Sequence, residues 1–228
     1  ESAELRHPFG HDGVHGFDAA VAAAVSRRGA SRVGLALGTS ASTIAVSEAA
    51  YARGRFEAPQ DHEALNTLHG VTHFVQQRLG LQGPALTVST ACSSSAKVFA
   101  LAERWLRLRL VDAVVVAGVD ALSDSLLYGF NALGLLSSAP CRPFDAARAG
   151  ISLGEAAGFA LLQRIEDEPA ALRLRGWGEA NDAHHMSSPH PEGLGAERAL
   201  TDALARAGVQ ASEIDYVNLH GTASARND

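Results

Sequence analysis

Cysteines are scarce in this sequence, which has only Cys92 and Cys141 among its 228 residues and no CxxC pair. Two cysteines cannot build the disulfide framework of a small secreted domain, so we expect reduced thiols and a cytoplasmic location. The sequence also lacks a signal peptide and any apolar stretch of the roughly 20 residues that a membrane span needs. It begins with Glu1 rather than Met, and we therefore expect that the natural amino terminus is missing.

Basic runs and aromatic residues are few as well. The formal net charge is −6, and the one local cluster of arginines, 104–109, is interpreted as a solvated helix end. This balance argues against general nucleic-acid binding, because no basic run stands out that could neutralise a row of phosphates. Aromatic residues make up 6% of the chain, whereas hydrophobic residues make up 46%. Such a composition favours closely packed α/β layers in one or two domains.

Strand-like and helical segments alternate along the chain. The predicted strands are 33–38, 85–91, 112–119, 156–163, 171–177 and 215–219. The predicted helices are 62–79, 93–109 and 194–207, the last ended by Gly208. Because 112–119 and 156–163 are continuous apolar runs, we expect both to be parallel strands that are covered on both faces. The alternation predicts an α/β fold with a mainly parallel sheet, and the polar turn 166–169 is the best internal boundary.

Cys92 lies in the segment TACSSS, at a predicted turn between a strand and a helix. The amino end of a helix has free backbone N–H groups and a partial positive charge, and both favour a thiolate. The small neighbours Ala91, Ser93, Ser94 and Ser95 leave room for a bulky acyl group at the sulfur. From these residues alone, a reactive cysteine and an inert buried cysteine are equally good interpretations.

Four motifs, in this order, resemble the β-ketoacyl-[acyl carrier protein] synthase family. They are TACSSSA around Cys92, PCRPFDAARAG with LGEAAG within 140–158, DAHHMSSP at 182–189 and YVNLHGTASARND at 216–228. The resemblance implies a thiolase-like layered α-β-α-β-α fold with mostly parallel sheets, of which only part is present. It makes residues 1–168 the amino-terminal half, with its start missing, and residues 169–228 the beginning of the carboxy-terminal half.

The resemblance also implies an acyltransferase that performs a decarboxylative condensation. An acyl group on Cys92 is joined to a malonyl thioester, in fatty acid, polyketide or polyene synthesis. No cofactor is implied for the enzyme itself, because its substrates are carried on the 4′-phosphopantetheine of acyl carrier protein. Acyl carrier protein is therefore the implied partner, together with a second subunit in a homodimer or in a heterodimer with a related chain.

Five further residues match functional positions of this family. His220, in the His-Gly-Thr motif, is expected to stabilise the enolate oxygen that forms when malonyl loses carbon dioxide. Thr222 and Ser224 match hydroxyls that bind the pantetheine arm. Phe144 matches a phenylalanine near the substrate entrance, although a packed core aromatic is an equal alternative. Arg148 matches a carrier-protein contact, and an ordinary surface arginine is the alternative.

No metal site is expected. His69 and His73 have the i,i+4 spacing that could place two ligands on one helix face, but no third ligand is in register. We therefore interpret them as surface histidines.

Two other functions stay open. The first is a non-catalytic partner subunit that resembles a chain-length factor, although such subunits usually lack the nucleophile. The second is a thiolase acting on coenzyme A, although thiolase motifs lack His-Gly-Thr followed by Asn-Asp. The second histidine, the lysine and the Phe-Gly-Gly-Thr-Asn loop of the family do not occur in this sequence. We therefore expect it to be part of a longer polypeptide.

Overall fold

A computed structural model describes residues 11–54, 67–164, 172–185, 188–225 and 227–228. The chain forms two compact units. The first consists of Glu1–Ala121 and Glu155–Glu168, and the second of Leu122–Gly154 and Pro169–Asp228. The chain thus leaves the first unit after Ala121 and returns to it at Glu155.

The first unit is built on a four-stranded sheet. Its strands are β1 (Val33–Gly38), β2 (Ala85–Val88), β3 (Ala113–Asp120) and β4 (Ala156–Gln163), in the order β2-β1-β3-β4. β1 is parallel to both β2 and β3, whereas β4 is antiparallel to β3. The predicted α/β fold is confirmed, and three of the four strands are parallel.

The expectation that 156–163 forms a parallel strand is wrong. Asp120, the last residue of β3, is paired with Ala156, the first residue of β4. The chain therefore re-enters the sheet at the end where it left, and β4 must run in the opposite direction to β3. Apolar content shows that a segment suits a sheet, but the place where the connection returns determines the strand direction.

Helices cover both faces of this sheet. The first unit contains α1 (His11–Arg28), α2 (Ile44–Ala52), α3 (Gly70–Arg78), α4 (Ser94–Arg107) and a short 3-10 turn at Ala30–Arg32. Of these helices, α1 and α3 pack on one face of the sheet and α4 on the other. Because side chains alternate along a strand, Leu35 and Leu37 pack in one cluster with α1 and α3. Ala36, between them, packs in a second cluster with α4. All six residues of β1 are buried, as expected for a strand that is covered on both faces.

Most predicted elements of this unit are present. α4 and β1 occur where they are expected, and β2 ends three residues early. Of the predicted helix 62–79, residues 70–78 form α3, whereas 67–69 form a bend and turn before it. The start of that prediction, 62–66, lies outside the described residues. α1 and α2 are helices that the sequence patterns did not reveal.

An ionic cluster anchors the start of β3. The Asp112 carboxylate accepts hydrogen bonds from Arg32 Nε at 2.9 Å and Nη2 at 3.1 Å, and also from Arg164 Nη2. The two guanidinium groups also donate to backbone carbonyls, among them Leu110 O at 2.8 Å from Arg32 and Val111 O at 3.1 Å from Arg164. The hydrogen bonds from Arg32 and Arg164 hold the pKa of Asp112 well below its usual range. The cluster therefore ties the 3-10 turn and the end of β4 to the start of β3.

The second unit contains α5 (Asp124–Ala132), α6 (Leu194–Ala207) and a 3-10 turn at Ala211–Glu213. α6 ends at Gly208 as predicted, with φ of 66° in the left-handed region that glycine adopts readily. The predicted strands 171–177 and 215–219 are wrong, since their described residues pair with no other described strand. Instead, Gly176 and Gly178 lie directly against the backbone of α6, where side chains would not fit.

None of the described helices combines the length and the apolarity that crossing a bilayer requires.

Candidate active site

Cys92 lies in the turn between β2 and α4, where its side chain is exposed. The residue before it, Ala91, has φ of 52°, in the left-handed region. That conformation costs an L-residue about 1–2 kcal/mol, so the surrounding structure must hold it. The predicted strand, sharp turn and helix are therefore present, and Cys92 is two residues before the helix begins. The expectation of a cysteine near a helix amino end agrees with this placement.

Two serine hydroxyls hold the turn. Ser94 Oγ accepts a hydrogen bond from Thr90 N–H at 2.8 Å and donates one to Ala91 O at 2.6 Å. On the exposed side, Ser93 Oγ donates to Thr90 O at 2.8 Å. Serine side chains near a helix start commonly bind the local backbone in this way. The small residues that sequence reasoning assigned to leaving space for an acyl group thus also stabilise the backbone around the sulfur.

Two glycines allow the first turn of α4 to approach the sheet. A Cβ atom on Gly38 would lie 2.5 Å from the backbone C and O atoms of Ser94, and a Cβ atom on Gly118 would lie 2.6 Å from Ser95 Cβ. Both distances are too short for real atoms. Gly38 and Gly118 therefore determine how deeply the helix behind Cys92 is seated, a role that sequence reasoning missed.

A polar loop follows β1 at the same sheet edge, because the carboxyl ends of β1 and β3 are parallel neighbours. The Asp120 Oδ1 atom accepts hydrogen bonds from Thr39 Oγ1 at 3.0 Å, Ser40 N–H at 2.7 Å and Ala41 N–H at 3.2 Å. Thr39 Oγ1 in turn accepts from Ser42 N–H at 2.8 Å. Asp120 was not predicted as a site residue, although a carboxylate at the end of a buried apolar run is a usable signal.

The second unit holds His220 and the other predicted site residues. His220 is exposed and precedes Gly221, whose φ is 57°. The hydroxyls of Thr222 and Ser224 lie 2.9 Å apart and form a hydrogen bond. Between them, Ala223 is completely buried, and its carbonyl accepts from Gly150 N–H at 2.9 Å. The two predicted pantetheine-binding hydroxyls are thus adjacent and anchored through the residue between them.

Asp228 joins this loop to the segment that contains Phe144. Its Oδ2 atom accepts hydrogen bonds from Phe144 N–H at 3.1 Å and Ala223 N–H at 2.8 Å. Burial raises the pKa of Asp228, but hydrogen bonds from the Asn227 amide and from backbone N–H groups, including that of Thr222, outweigh it. The pKa of Asp228 is therefore lowered.

Phe144 and Arg148 both form hydrogen bonds with Asp228. Phe144 has φ of 63° and is 57% exposed as a residue, so it is not a packed core aromatic. A Cβ atom on Gly221 would lie 3.6 Å from this ring, which places Phe144 beside the residue that follows His220. Arg148 is half-buried and donates from Nη2 to Asp228 O at 2.8 Å and from Nη1 to Asp145 O at 3.1 Å.

The structure thus brings His220, Phe144, Thr222 and Ser224 together with Arg148 in one unit, and it holds Cys92 in the other. Asp228 was missed because its partners lie up to 84 residues away in sequence. No cluster of three or more histidine, cysteine or acidic side chains that could hold a metal ion occurs in the described ranges.

Family models match both parts of the chain. Residues 17–168 match the N-terminal domain of β-ketoacyl synthases, and residues 172–228 match the C-terminal domain of the same enzymes.

The chain matches only part of the length of its curated relatives. Nodulation protein E of Rhizobium meliloti is 37% identical over 160 residues, which are 68% of this chain and 39% of that protein. The 3-oxoacyl-[acyl-carrier-protein] synthase 2 of Vibrio cholerae is 30% identical over 220 residues, which are 90% of this chain and 53% of that protein.

A solved structure of the ketosynthase ApeO in complex with its chain length factor ApeC, from Xenorhabdus doucetiae, contains a similar chain. The TM-score is 0.87 at 39% sequence identity, over 94% of this chain and 54% of that one. A β-ketoacyl synthase from Burkholderia phymatum gives a TM-score of 0.74 at 26% identity, over 86% of this chain and 52% of that one. These neighbours show the fold expected from the sequence motifs, and the chain spans about half the length of these structures.

Proposed function

Since the chain belongs to the β-ketoacyl synthase family, we propose that it is part of a β-ketoacyl-[acyl carrier protein] synthase whose acylated nucleophile is Cys92. The observation that carries this proposal is the turn itself. An exposed cysteine, held by a left-handed residue before it and a helix start after it, suits acyl transfer.

The proposed reaction has two stages. In the first, the Cys92 thiolate attacks the carbonyl of a donor thioester, and the donor thiolate leaves as the acyl-cysteine forms. In the second, a malonyl thioester loses carbon dioxide, and the electron pair of the broken bond remains as an enolate. The enolate carbon attacks the acyl-cysteine, the Cys92 thiolate leaves, and the product is a β-ketoacyl thioester that is two carbons longer.

His220 has its proposed role in the second stage. An imidazole that donates a hydrogen bond to the enolate oxygen stabilises charge that appears only as carbon dioxide leaves. Its position is supported by the interlocked loops around Asp228, which fix the backbone on the carboxyl side of His220.

The remaining site residues are proposed to bind the substrate arm. Thr222 and Ser224 present two adjacent hydroxyls to pantetheine, and the exposed ring of Phe144 lines the approach beside Gly221. Arg148 is proposed as a carrier-protein contact. Its hydrogen bonds to carbonyls of its own unit favour a role in which it also supports the loop.

Acyl carrier protein is the proposed partner, because the relatives include enzymes named for acting on it. The substrates would arrive on its phosphopantetheine, and the enzyme itself would need no resident cofactor. We further propose a cytoplasmic dimer. Residues 1–168 would belong to the amino-terminal half of the fold and residues 169–228 to the beginning of the carboxy-terminal half, a division that the two family matches support.

A partner subunit of the chain-length-factor type is the second candidate, since a structural neighbour is a complex of a ketosynthase with such a factor. The cysteine in the turn favours the enzyme, because a non-catalytic subunit has no need of a nucleophile there. A thiolase acting on coenzyme A has less support, since both family matches are to β-ketoacyl synthases.

The test measures both stages on the full-length protein. Incubation with an acyl-carrier-protein thioester should acylate Cys92 in the wild type and in Cys141→Ala, and mass spectrometry should find no adduct in Cys92→Ala. Cys141 is the matched control because it is also exposed. His220→Ala should still accept the acyl group, but its release of carbon dioxide from malonyl carrier protein should fall about 100- to 1000-fold. An adduct on Cys141 alone, or none, would contradict the proposal.

A further inference from the structure

The turn that presents Cys92 is closed by one buried side chain. Ser94 is only 3% exposed, and its hydroxyl binds both residues immediately before Cys92. Oγ accepts from Thr90 N–H at 2.8 Å and donates to Ala91 O at 2.6 Å. The Ser94 backbone N–H also donates to Ala91 O, at 3.0 Å. The carbonyl of the left-handed residue is thus held by two donors from the same serine.

Ser94 is itself fixed to the sheet. Its backbone C and O atoms lie so close to Gly38 that a Cβ atom there would be 2.5 Å from both. Gly38 ends β1, a strand that is buried along its whole length. A continuous path of direct contacts therefore leads from this fully buried strand, through Ser94, to the backbone on the amino side of Cys92.

We propose that Ser94 is a positioning residue for Cys92. The hydroxyl does not need to touch substrate, because it acts through Thr90 and Ala91. It keeps Ala91 in the left-handed conformation and so fixes the direction in which the thiol leaves the turn. The inference deepens the proposed function, on which it rests for the identity of the nucleophile.

Ser95 provides a matched control. It is the next residue, it is exposed, and its hydroxyl makes no hydrogen bond within the described part of the chain. Its Cβ atom contacts the strand at Gly118, and alanine retains that atom. Ser95→Ala therefore removes a hydroxyl from the same helical turn without removing a bond, whereas Ser94→Ala removes two.

The experiment compares the two cysteines of one molecule. Full-length wild type, Ser94→Ala, Ser94→Thr and Ser95→Ala are alkylated with iodoacetamide, and the rates at Cys92 and Cys141 are measured by mass spectrometry. Ser94→Ala should lower the ratio of the Cys92 rate to the Cys141 rate by about three- to ten-fold, as expected for a lost hydrogen-bond pair. Ser94→Thr, which keeps the hydroxyl, should restore most of the ratio, and Ser95→Ala should leave it unchanged.

A structural role alone would lower the melting temperature without changing this ratio. The inference is therefore overturned if folded Ser94→Ala has the wild-type ratio, or if Ser95→Ala loses as much. Hydrogen exchange in the wild type decides the matter if Ser94→Ala does not fold. Protection of the Thr90 amide supports the assignment, and exchange at the rate of an unstructured peptide overturns it.

The alkylation needs no carrier protein. If wild-type Cys92 accepts no acyl group while the ratio responds to Ser94, the proposed function fails and the Ser94 assignment stands.

Discussion

Gly38 and Gly118 lie directly opposite each other on β1 and β3, and both face the first turn of the helix that follows Cys92. Neither position tolerates a Cβ atom without displacing α4, because the nearest atoms belong to backbone or to a Cβ atom of the helix. The pair thus couples the two central strands of the sheet to the placement of Cys92, the proposed nucleophile.

Gly38→Ala should push the first turn of α4 away from the sheet. We expect a loss of about 1–3 kcal/mol in the free energy of unfolding, as for other overpacked cores, together with slower acylation of Cys92. Urea denaturation and a timed acylation assay measure the two effects.

Gly158→Ala is the matched control for this variant. Gly158 lies opposite Gly118 on β4, and a Cβ atom there meets nothing within 4 Å. Stability and acylation should both stay close to wild type. Equal losses in the two variants would show that any glycine in this sheet is required, whatever its contact with α4.

Asp112→Asn should destabilise the first unit by about 1–3 kcal/mol at neutral pH, because charge-assisted hydrogen bonds from two arginines are lost. The pKa of Asp112 is lower in the folded protein than the unfolded value of about 3.9. Its stabilisation is therefore complete above that value and is lost as the pH falls through the folded pKa. The difference between wild type and variant should be constant from pH 7 to pH 5 and shrink below about pH 4.

Asp202→Asn serves as the control for the Asp112 measurement. Asp202 and Arg206 form an exposed i,i+4 pair on α6, with 3.0 Å between Oδ2 and Nε. Such pairs contribute about 0.5 kcal/mol or less, so urea denaturation at neutral pH should hardly distinguish this variant from wild type. A loss of stability as large as that of Asp112→Asn would mean that the ionic cluster contributes no more than an ordinary exposed ion pair.

Asp228→Ala should loosen the loop that carries His220, since two backbone N–H groups from separate segments lose their shared acceptor. We expect decarboxylation of malonyl carrier protein to slow about three- to ten-fold while acyl loading of Cys92 changes less. Asp228→Asn keeps one acceptor oxygen, so its decarboxylation rate should lie between those of the wild type and Asp228→Ala. Asp215→Ala, at an exposed aspartate, should match wild type, and a decline in both stages alike would argue against a loop-specific effect.

Thr222 and Ser224 should not act independently, because their hydroxyls bond to each other at 2.9 Å. Thr222→Val and Ser224→Ala are each expected to raise KM for the acyl carrier substrate about three- to ten-fold with little change in kcat. The double variant should show a coupling energy of about 0.5 kcal/mol or more. Strict additivity would show that the two hydroxyls bind the substrate arm separately.

The sequence predicts the parts of this site that depend on neighbouring residues. β1, α4 and the turn at Cys92 follow from short apolar runs and a cluster of small residues, which are local signals. The direction of β4 depends on where a distant connection returns, so its apolar run could not reveal it. Similarly, the acceptor role of Asp228 for Phe144 joins residues 84 positions apart, and only the folded chain brings them together.

Ser94 shows that even contacts between residues close in sequence can be hidden from sequence analysis. Its identity and its place after Cys92 are plain in the sequence, but the sequence does not show that its hydroxyl binds the backbone of Thr90 and of the left-handed Ala91. Asp120 is a different case, since a carboxylate at the end of a buried apolar run is a pattern that could have been used.

The pairing of Asp120 with Ala156 has a consequence for how this protein could be dissected. The two residues are neighbours in the sheet, so the whole connection of residues 121–155 begins and ends at one point. In the language of protein engineering, the connection is an insertion between two adjacent antiparallel strands, which a short hairpin turn could join directly. Each doubling of loop length costs only about 0.6 kcal/mol, so replacing the connection by a two-residue turn would recover about 2–3 kcal/mol of closure entropy. β3 and β4 therefore offer a natural place at which the first unit could be shortened and studied alone.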